Sequence, residues 1–213
     1  MEGQRIDVPP GQIAAVVTYL QMHAPPDIPP TQPGQWHLSP CSEPDIEWYR
    51  ALYRRIGSEW LWFSRLILPE ADLAAALAAT EIHVLSDSDG QEIGLLELDR
   101  RVAGEVEIAF FGVIKEATGT GAGRFLMQEA MRLAWTSNVN RVWLHTCSLD
   151  HPAAVRFYVK SGFKPYKRTI EIDDDPRLHG VLPLSAGRHA PPIATSGTNV
   201  SEAIEERSGK AQL

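Results

Sequence analysis

A run of small residues, Thr118-Gly119-Thr120-Gly121-Ala122-Gly123-Arg124, lies between an apolar strand-like segment and an amphipathic helix-like one. With few side chains in the way, several backbone N–H groups can point at one anion there. The N-terminus of the following helix adds partial positive charge. A phosphate or pyrophosphate suits such a turn; a tight turn with no ligand is the plain alternative. Two phosphate loops fail on spacing. A dinucleotide fingerprint needs a third glycine where Arg124 stands and an early parallel strand–helix–strand unit, whereas this loop follows a meander past the chain's midpoint. A nucleoside-triphosphate loop needs Gly-Lys-Ser/Thr, and no lysine follows these glycines. A second block, from His151-Pro152 to Gly162-Phe163, carries one phenol, Tyr158, four residues after Ala154 and on the same helix face. Asp150 or His151 as cap, Pro152 in the first turn and Gly162 at the end delimit that helix. A helical tyrosine facing a core serves packing as readily as acid chemistry.

Together the two blocks resemble the acetyl-coenzyme A elements of the GNAT N-acetyltransferases. The family's loop pattern is Gln/Arg-x-x-Gly-x-Gly/Ala, and this chain has Thr118-x-x-Gly121-x-Gly123, with an uncharged threonine in the leading place. The downstream block resembles the family's Asn-x-x-Ala, Tyr and Gly-Phe element, with His151 in the asparagine's place. The resemblance covers residues 81–168, roughly. It implies the GNAT fold, an α/β (α+β) mixed central sheet of about six to seven strands flanked by helices. It also implies acetyl-CoA as co-substrate, without a metal. In that fold the strands on either side of the loop and its helix splay apart. The pantetheine arm pairs there with main-chain groups, which would come from Phe111, Gly112 and Val113. Thr118 and Gly119 through Phe125 (Thr120, Gly121, Ala122, Gly123 and Arg124 between them) would hold the pyrophosphate, with His151 alongside. Gly112 would let the thioester approach the backbone. An N–H at or near Val113 would stabilise the oxyanion.

Acyl transfer also needs a deprotonated acceptor amine and a proton for the leaving thiolate. By resemblance Tyr158 is the acid toward sulfur. Glu107, eleven residues before Thr118, is the expected base, where histone-type members carry a glutamate. Strict alternation would put Glu107 on one face with Ala109, Phe111 and Val113. Desolvation beside that aromatic would favour its neutral form. Glu105 and Glu107 as the polar side of a half-exposed strand is the competing reading. His145 and His151 are further proton-transfer candidates, although a lone strand histidine is more often structural. Cys147 reads as a small hydrophobe.

The acceptor is a small-molecule or peptide amine. Ser58-Glu59-Trp60-Leu61-Trp62-Phe63 can wall its pocket or simply fill the core, and the acidic run Glu171, Asp173, Asp174, Asp175 can attract a cation or form a solvated turn. Three functions remain at this stage: an acetyl-CoA-dependent N-acetyltransferase working by direct attack on the thioester, a catalytically idle acyl-CoA-binding regulatory or sensor protein, and an unrelated phosphate-ligand binder.

The elements that must position these residues are legible in rhythm. Glu81–Ser86, Glu92–Leu98 and Glu105–Ile114 alternate around short polar turns, an antiparallel meander. Then follow helix 121–135, strand 141–147, helix 152–161 and strand 163–172, so the sheet is mixed. Upstream, Ile13–Leu20 reads as a strand and the proline-loaded Met22–Pro40 as an irregular loop. One helix follows Ser42 as cap, with Trp48, Leu52 and Ile56 inward, and another spans 70–79. The chain divides into an N-terminal strand and Pro-rich loop packed on the domain (1–45), the acetyltransferase domain (46–175) and a C-terminal extension (176–213) with a disordered tail from about 185.

With 213 residues and a net charge of −7, the chain has ample length for a core and little affinity for nucleic acid or anionic membranes. Between Phe111 and Ile170, however, nine basic residues face only three acids, which suits a polyanionic small molecule. No apolar stretch nears a membrane span, the start lacks a secretory layout, and two cysteines build no disulfide framework. A cytoplasmic protein is expected, and a homodimer is left open.

Overall fold

The computed structural model describes residue 3, residues 5–27 and residues 35–194. Its strands are β1 (Gln12–Met22), β2 (Trp36–Cys41), β3 (Thr80–Asp87), β4 (Glu92–Asp99), β5 (Glu105–Val113), β6 (Arg141–Cys147) and β7 (Lys164–Asp174). The helices are α1 (Ile46–Gly57), α2 (Glu70–Ala78), α3 (Ala122–Ala134) and α4 (Ala154–Lys160). All seven strands join one mixed sheet in the order β2-β3-β4-β5-β6-β1-β7. Only β5 and β6 run parallel, joined by the α3 crossover.

The meander forms where the alternating segments meet turn chemistry. Asp87 Oδ1 accepts from the N–H groups of Asp89 and Gln91 at 3.0 and 2.8 Å, and Gly90 takes φ 78. One sheet face is covered by α3 and α4, where Leu126, Met127, Ala130 and Met131 pack on Leu96, Val106, Ile108 and Leu144. The other face is covered by α1 and α2: Tyr49, Leu52, Tyr53 and Ile56 are buried against Leu73, Leu77, Ile82 and Leu95. These α1 positions keep helical spacing, one residue round from the stripe expected through Trp48. Trp48 is half-buried, its indole donating to Glu92.

Two upstream expectations are corrected. Met22–Pro40 is not wholly irregular: β2 pairs with β3 from Trp36↔Asp87 to Cys41↔Ile82. As an edge strand, β2 tolerates Pro40, whose missing N–H costs a ladder bond only in a central strand. The α1 cap is Asp45, which accepts from Trp48 N–H at 2.8 Å, rather than Ser42. Downstream, where a disordered tail was expected to start, residues 186–190 pack on the domain and Ile193 O accepts from Gly11 N–H. Ala186 is buried with Leu61, Leu149 and Leu182, and Arg177 donates to the Ala186 and Gly187 carbonyls. The rest of that expected tail lies outside the described residues.

Candidate functional site

The strands β5 and β6 touch over three residue pairs, Glu105↔Arg141 to Glu107↔Trp143, and then part. β1 takes up the far side of β6 (Val17↔Cys147 to Met22↔Val142), so β5 is left with a free edge from Ile108 onward. Ile114 N–H donates to Ile93 O at 2.8 Å. Antiparallel alternation then turns the main-chain groups of Gly112 and Phe110 toward β4, and those of Phe111 and Val113 into the gap. Of the three residues expected to offer main-chain groups, Gly112 therefore does not. Nor does its missing side chain admit a ligand. A Cβ there would stand 2.5 Å from Ile56 Cγ2 and 3.0 Å from the Trp62 ring, so Gly112 lets α1 and Trp62 close on the strand.

A β-bulge corrects the expected facing of Glu107. Leu98 pairs with Ile108 but Glu97 with Phe110, which leaves Ala109 extra on β5. Ile108, Phe111 and Val113 pack toward the α3–α4 face, and Phe110 toward α1. Glu107 consequently shares the α1–α2 side with Phe110 and Gly112, not with Phe111 and Val113.

Beyond β5 a 3-10 turn, Lys115–Ala117, leads into the glycine loop. Gly119 and Gly121 take φ 81 and 105, a left-handed backbone that would strain any other residue. The amides of Gly119, Gly121, Gly123 and Arg124 have no acceptor among the described residues and stand at the start of α3. The loop's other members shape it. Thr120 Oγ1 donates to Ala117 O at 2.7 Å and accepts from Ala122 N–H, and Thr118 Oγ1 turns back to Ile114 O at 3.4 Å. Phe125 N–H makes the first helical bond, to Gly121 O, and its ring packs on Trp36. Phe125 is thus a support for the loop rather than an anion donor.

The gap opens into a cavity of about 720 Å³ lined from both sheet faces. Tyr158 reaches it from α4, 8% exposed, its ring edge-on to Phe111, Phe157 and Phe163. Burial, with the Asp150 charge second, pushes the phenol pKa well above its ordinary value. Asp150 itself does not cap α4. Its carboxylate accepts from Trp62 Nε1 at 3.1 Å, Thr146 Oγ1 at 2.7 Å and Cys147 N–H at 2.8 Å, tying the end of β6 to the loop after α1. His151 Nδ1 accepts from Ala153 N–H at 3.0 Å, and its ring meets Trp60.

On the α1–α2 side the cavity is lined by His145, Cys147, Glu171 and Asp173, with Trp60, Trp62, Phe63 and Ile67 opposite. Glu107 is not in its lining; it lies behind His145, with Oε1 3.5 Å from Nδ1. That carboxylate holds the His145 imidazole pKa above its ordinary value against the opposing effect of burial. Tyr19 packs on the same ring. Burial raises the Cys147 thiol to about 11, which keeps it a neutral hydrophobe at physiological pH. No group of three or more metal-ligating side chains occurs among the described residues. None of the described helices is long and apolar enough to cross a membrane.

The family model of GNAT acetyltransferases matches residues 42–163, more than half of the sequence. The chain belongs to the GNAT acetyltransferase family. Solved structures agree on the fold. A GNAT-family acetyltransferase structure from Novosphingobium aromaticivorans is 17% identical over 80% of this chain and 70% of its own, with a TM-score of 0.53. GNAT structures from Sphaerobacter thermophilus (16% identity, 90% of this chain and 56% of that one, TM-score 0.55) and Kribbella flavida (19%, 80% and 63%, 0.51) are likewise similar. The chain thus spans little more than half of the Sphaerobacter protein. No curated protein matches the sequence.

The GNAT match ends before β7 and begins after β1, yet β1 lies inside the sheet, between β6 and β7. Three residues that the sequence did not single out also shape this GNAT site. Glu97, fully buried on β4, accepts from Arg65 and from Tyr49 Oη (2.7 Å), and Arg65 lies over the Phe110 ring. This trio fastens the aromatic loop after α1 to the sheet. Its only signal in sequence was an acidic residue within the otherwise apolar run of residues 93–98.

Proposed function

We propose that the protein is an acetyl-CoA-dependent N-acetyltransferase whose acceptor is an amine with an apolar or aromatic body. The observation that carries this reading is one cavity joining a free strand edge, four unpaired amides at the start of α3 and the phenol of Tyr158. Those amides, with Arg124 beside them, fit a pyrophosphate. Main-chain groups of Phe111 and Val113 fit an amide-containing arm, and Val113 N–H is the donor for charge developing on the acyl oxygen. Acetyl-CoA supplies the activated acetyl thioester.

On the acceptor side, Glu171 and Asp173 attract a protonated amine, and Trp60, Trp62 and Phe63 provide apolar surface. His145 takes the amine's proton, and Glu107, behind it, fixes the ring and makes the imidazolium favourable. Tyr158, held protonated by burial, gives a proton to the departing sulfur.

Thermal shift with CoA and acetyl-CoA, then thiol release over an amine library, tests the reading. Ligand at a hundredfold excess over Kd should add about 2.7 kcal/mol of stability. Arylalkylamines should release thiol faster than small hydrophilic amines. No stabilisation by either ligand would end the cofactor assignment. Stabilisation without thiol release from any amine would make the protein a binder of acyl-CoA rather than a transferase.

A further inference from the structure

The strand β7 ends the sheet, and no strand of the described residues pairs with its outer edge. Ten of its eleven residues are exposed and Thr169 is half-buried, so both faces and the edge meet solvent. Val16 pairs with Ile170 and Ala14 with Ile172, which sets Val16, Ile170 and Ile172 on one face, 46%, 56% and 37% exposed. A long, partly apolar free edge is a template for another strand, and stable proteins cover or blunt it.

The main-chain direction of that edge follows from its neighbours. Ser148 N–H donates to Val16 O at 3.0 Å, and Asp175 N–H to Gly11 O at 2.9 Å. Alternation then turns Thr169, Glu171 and Asp173 toward β1 and leaves the N–H and C=O groups of Arg168, Ile170 and Ile172 pointing outward. Charge along β7 is polarised: Lys164, Lys167 and Arg168 occupy its first half, Glu171, Asp173 and Asp174 its second.

We propose that β7 is a homodimer interface, in which the outer edges of two copies pair antiparallel about Thr169 and continue the sheet across a two-fold axis. This register places Lys167 of each copy opposite Glu171 of the other and, past the bulge that leaves Tyr166 unpaired with β1, Lys164 opposite Asp173. The outward groups of Arg168 and Ile170 face each other as a hydrogen-bonded pair. Parallel pairing would stack like charges instead. Because Glu171 also lines the cavity, the interface reaches the rim of the acceptor side.

Light scattering of the full chain at micromolar concentration reads the mass, and twice the chain mass is expected. Lys167→Glu sets like charges opposite each other at two symmetric places and should raise the dimer Kd ~10-fold or more. Lys167→Glu combined with Glu171→Lys in the same chain should restore it. Ile170→Pro removes an outward N–H while sparing the bonds to β1, and should give a monomer with unchanged circular dichroism. Should that variant misfold, the charge-swap pair decides alone. A monomeric wild type, a dimer indifferent to Lys167→Glu, or a double variant no better than the single one overturns the proposal. So does dimerisation only after deletion of residues 195–213, since the chain's own C-terminus would then cover the edge.

Discussion

The role proposed for Tyr158 rests on its enclosure. Its ring is gripped by Phe111, Phe157 and Phe163, and no described residue hydrogen-bonds its hydroxyl, which leaves that group to whatever occupies the cavity. Its raised pKa keeps the proton in place throughout the physiological range. Tyr158→Phe retains the packing and removes the proton. Turnover should fall ~10²-fold or more while CoA still shifts the melting temperature as in the wild type; unchanged turnover would assign the acid elsewhere. His145, the proposed base, is biased toward its charged form where Tyr158 is biased toward its neutral one. Its pKa is raised by Glu107, so the neutral, base-competent ring accumulates only as pH climbs through that raised value. The stability it contributes as a cation is complete below the ordinary imidazole pKa and is lost over the same climb. Glu107→Gln should move the acid limb of kcat/KM to lower pH. A limb that stays where it was would show that Glu107 does not act through His145, a distinction that loss of activity alone cannot make.

At the scale of elements, what was readable in the chain was what local chemistry decides. The meander, β6 and the helix after the glycine loop follow from alternation, turn residues and helical spacing, each a property of neighbouring residues. What escaped was decided across the sheet. Nothing near Ala109 marks the bulge, because it arises from the β4–β5 pairing, and it reverses which face Glu107 occupies. Pro40 disguised β2 because its tolerance depends on β2 being an edge. Asp150 read as a helix cap, but its three donors come from β6 and from Trp62, 88 residues away. The two glycines at the site separate the same way, and substitution can tell them apart. Gly121→Glu forces a side chain into a left-handed backbone at φ 105 against Trp36 and brings negative charge to the unpaired amides. Thermal shift by CoA should disappear. Gly112→Ala drives a methyl into Ile56 and Trp62 instead. It should cost about 1–3 kcal/mol, lower Tm by several degrees and raise KM for the amine, with CoA affinity retained. Equal loss of CoA binding in both would refute the assignment of Gly112 to the acceptor wall.

Across the whole molecule, two segments outside the family match complete the cavity on the side proposed to take the amine. β1 enters the sheet beside β6 and contributes Ile13, Ala15 and Val17 to the cavity, while the segment after β7 returns beneath the loop that follows α1. One ion pair holds that return. Arg177 and Asp175 have side-chain exposures of 0% and 1%; their closest contact is 2.6 Å, and Arg177 also donates to the carbonyls of Ala186 and Gly187. Leu182 and Ala186 are thereby pressed on Leu61, which adopts φ 55, a conformation that a leucine keeps only under tertiary constraint. Leu61 lies between Trp60 and Trp62, so the staple sets the aromatic wall from a distance. Arg177→Met fills similar volume but strands a buried carboxylate, a loss of about 3–5 kcal/mol. Tm should drop by ~10 °C. If the C-terminal segment positions the wall, KM for the amine should also rise well below the new Tm while CoA affinity holds. The double variant Asp175→Leu/Arg177→Met, which leaves no charge unpaired, should recover most of the Tm but not the KM. Recovery of both would reduce the segment to a source of stability with no part in holding the acceptor.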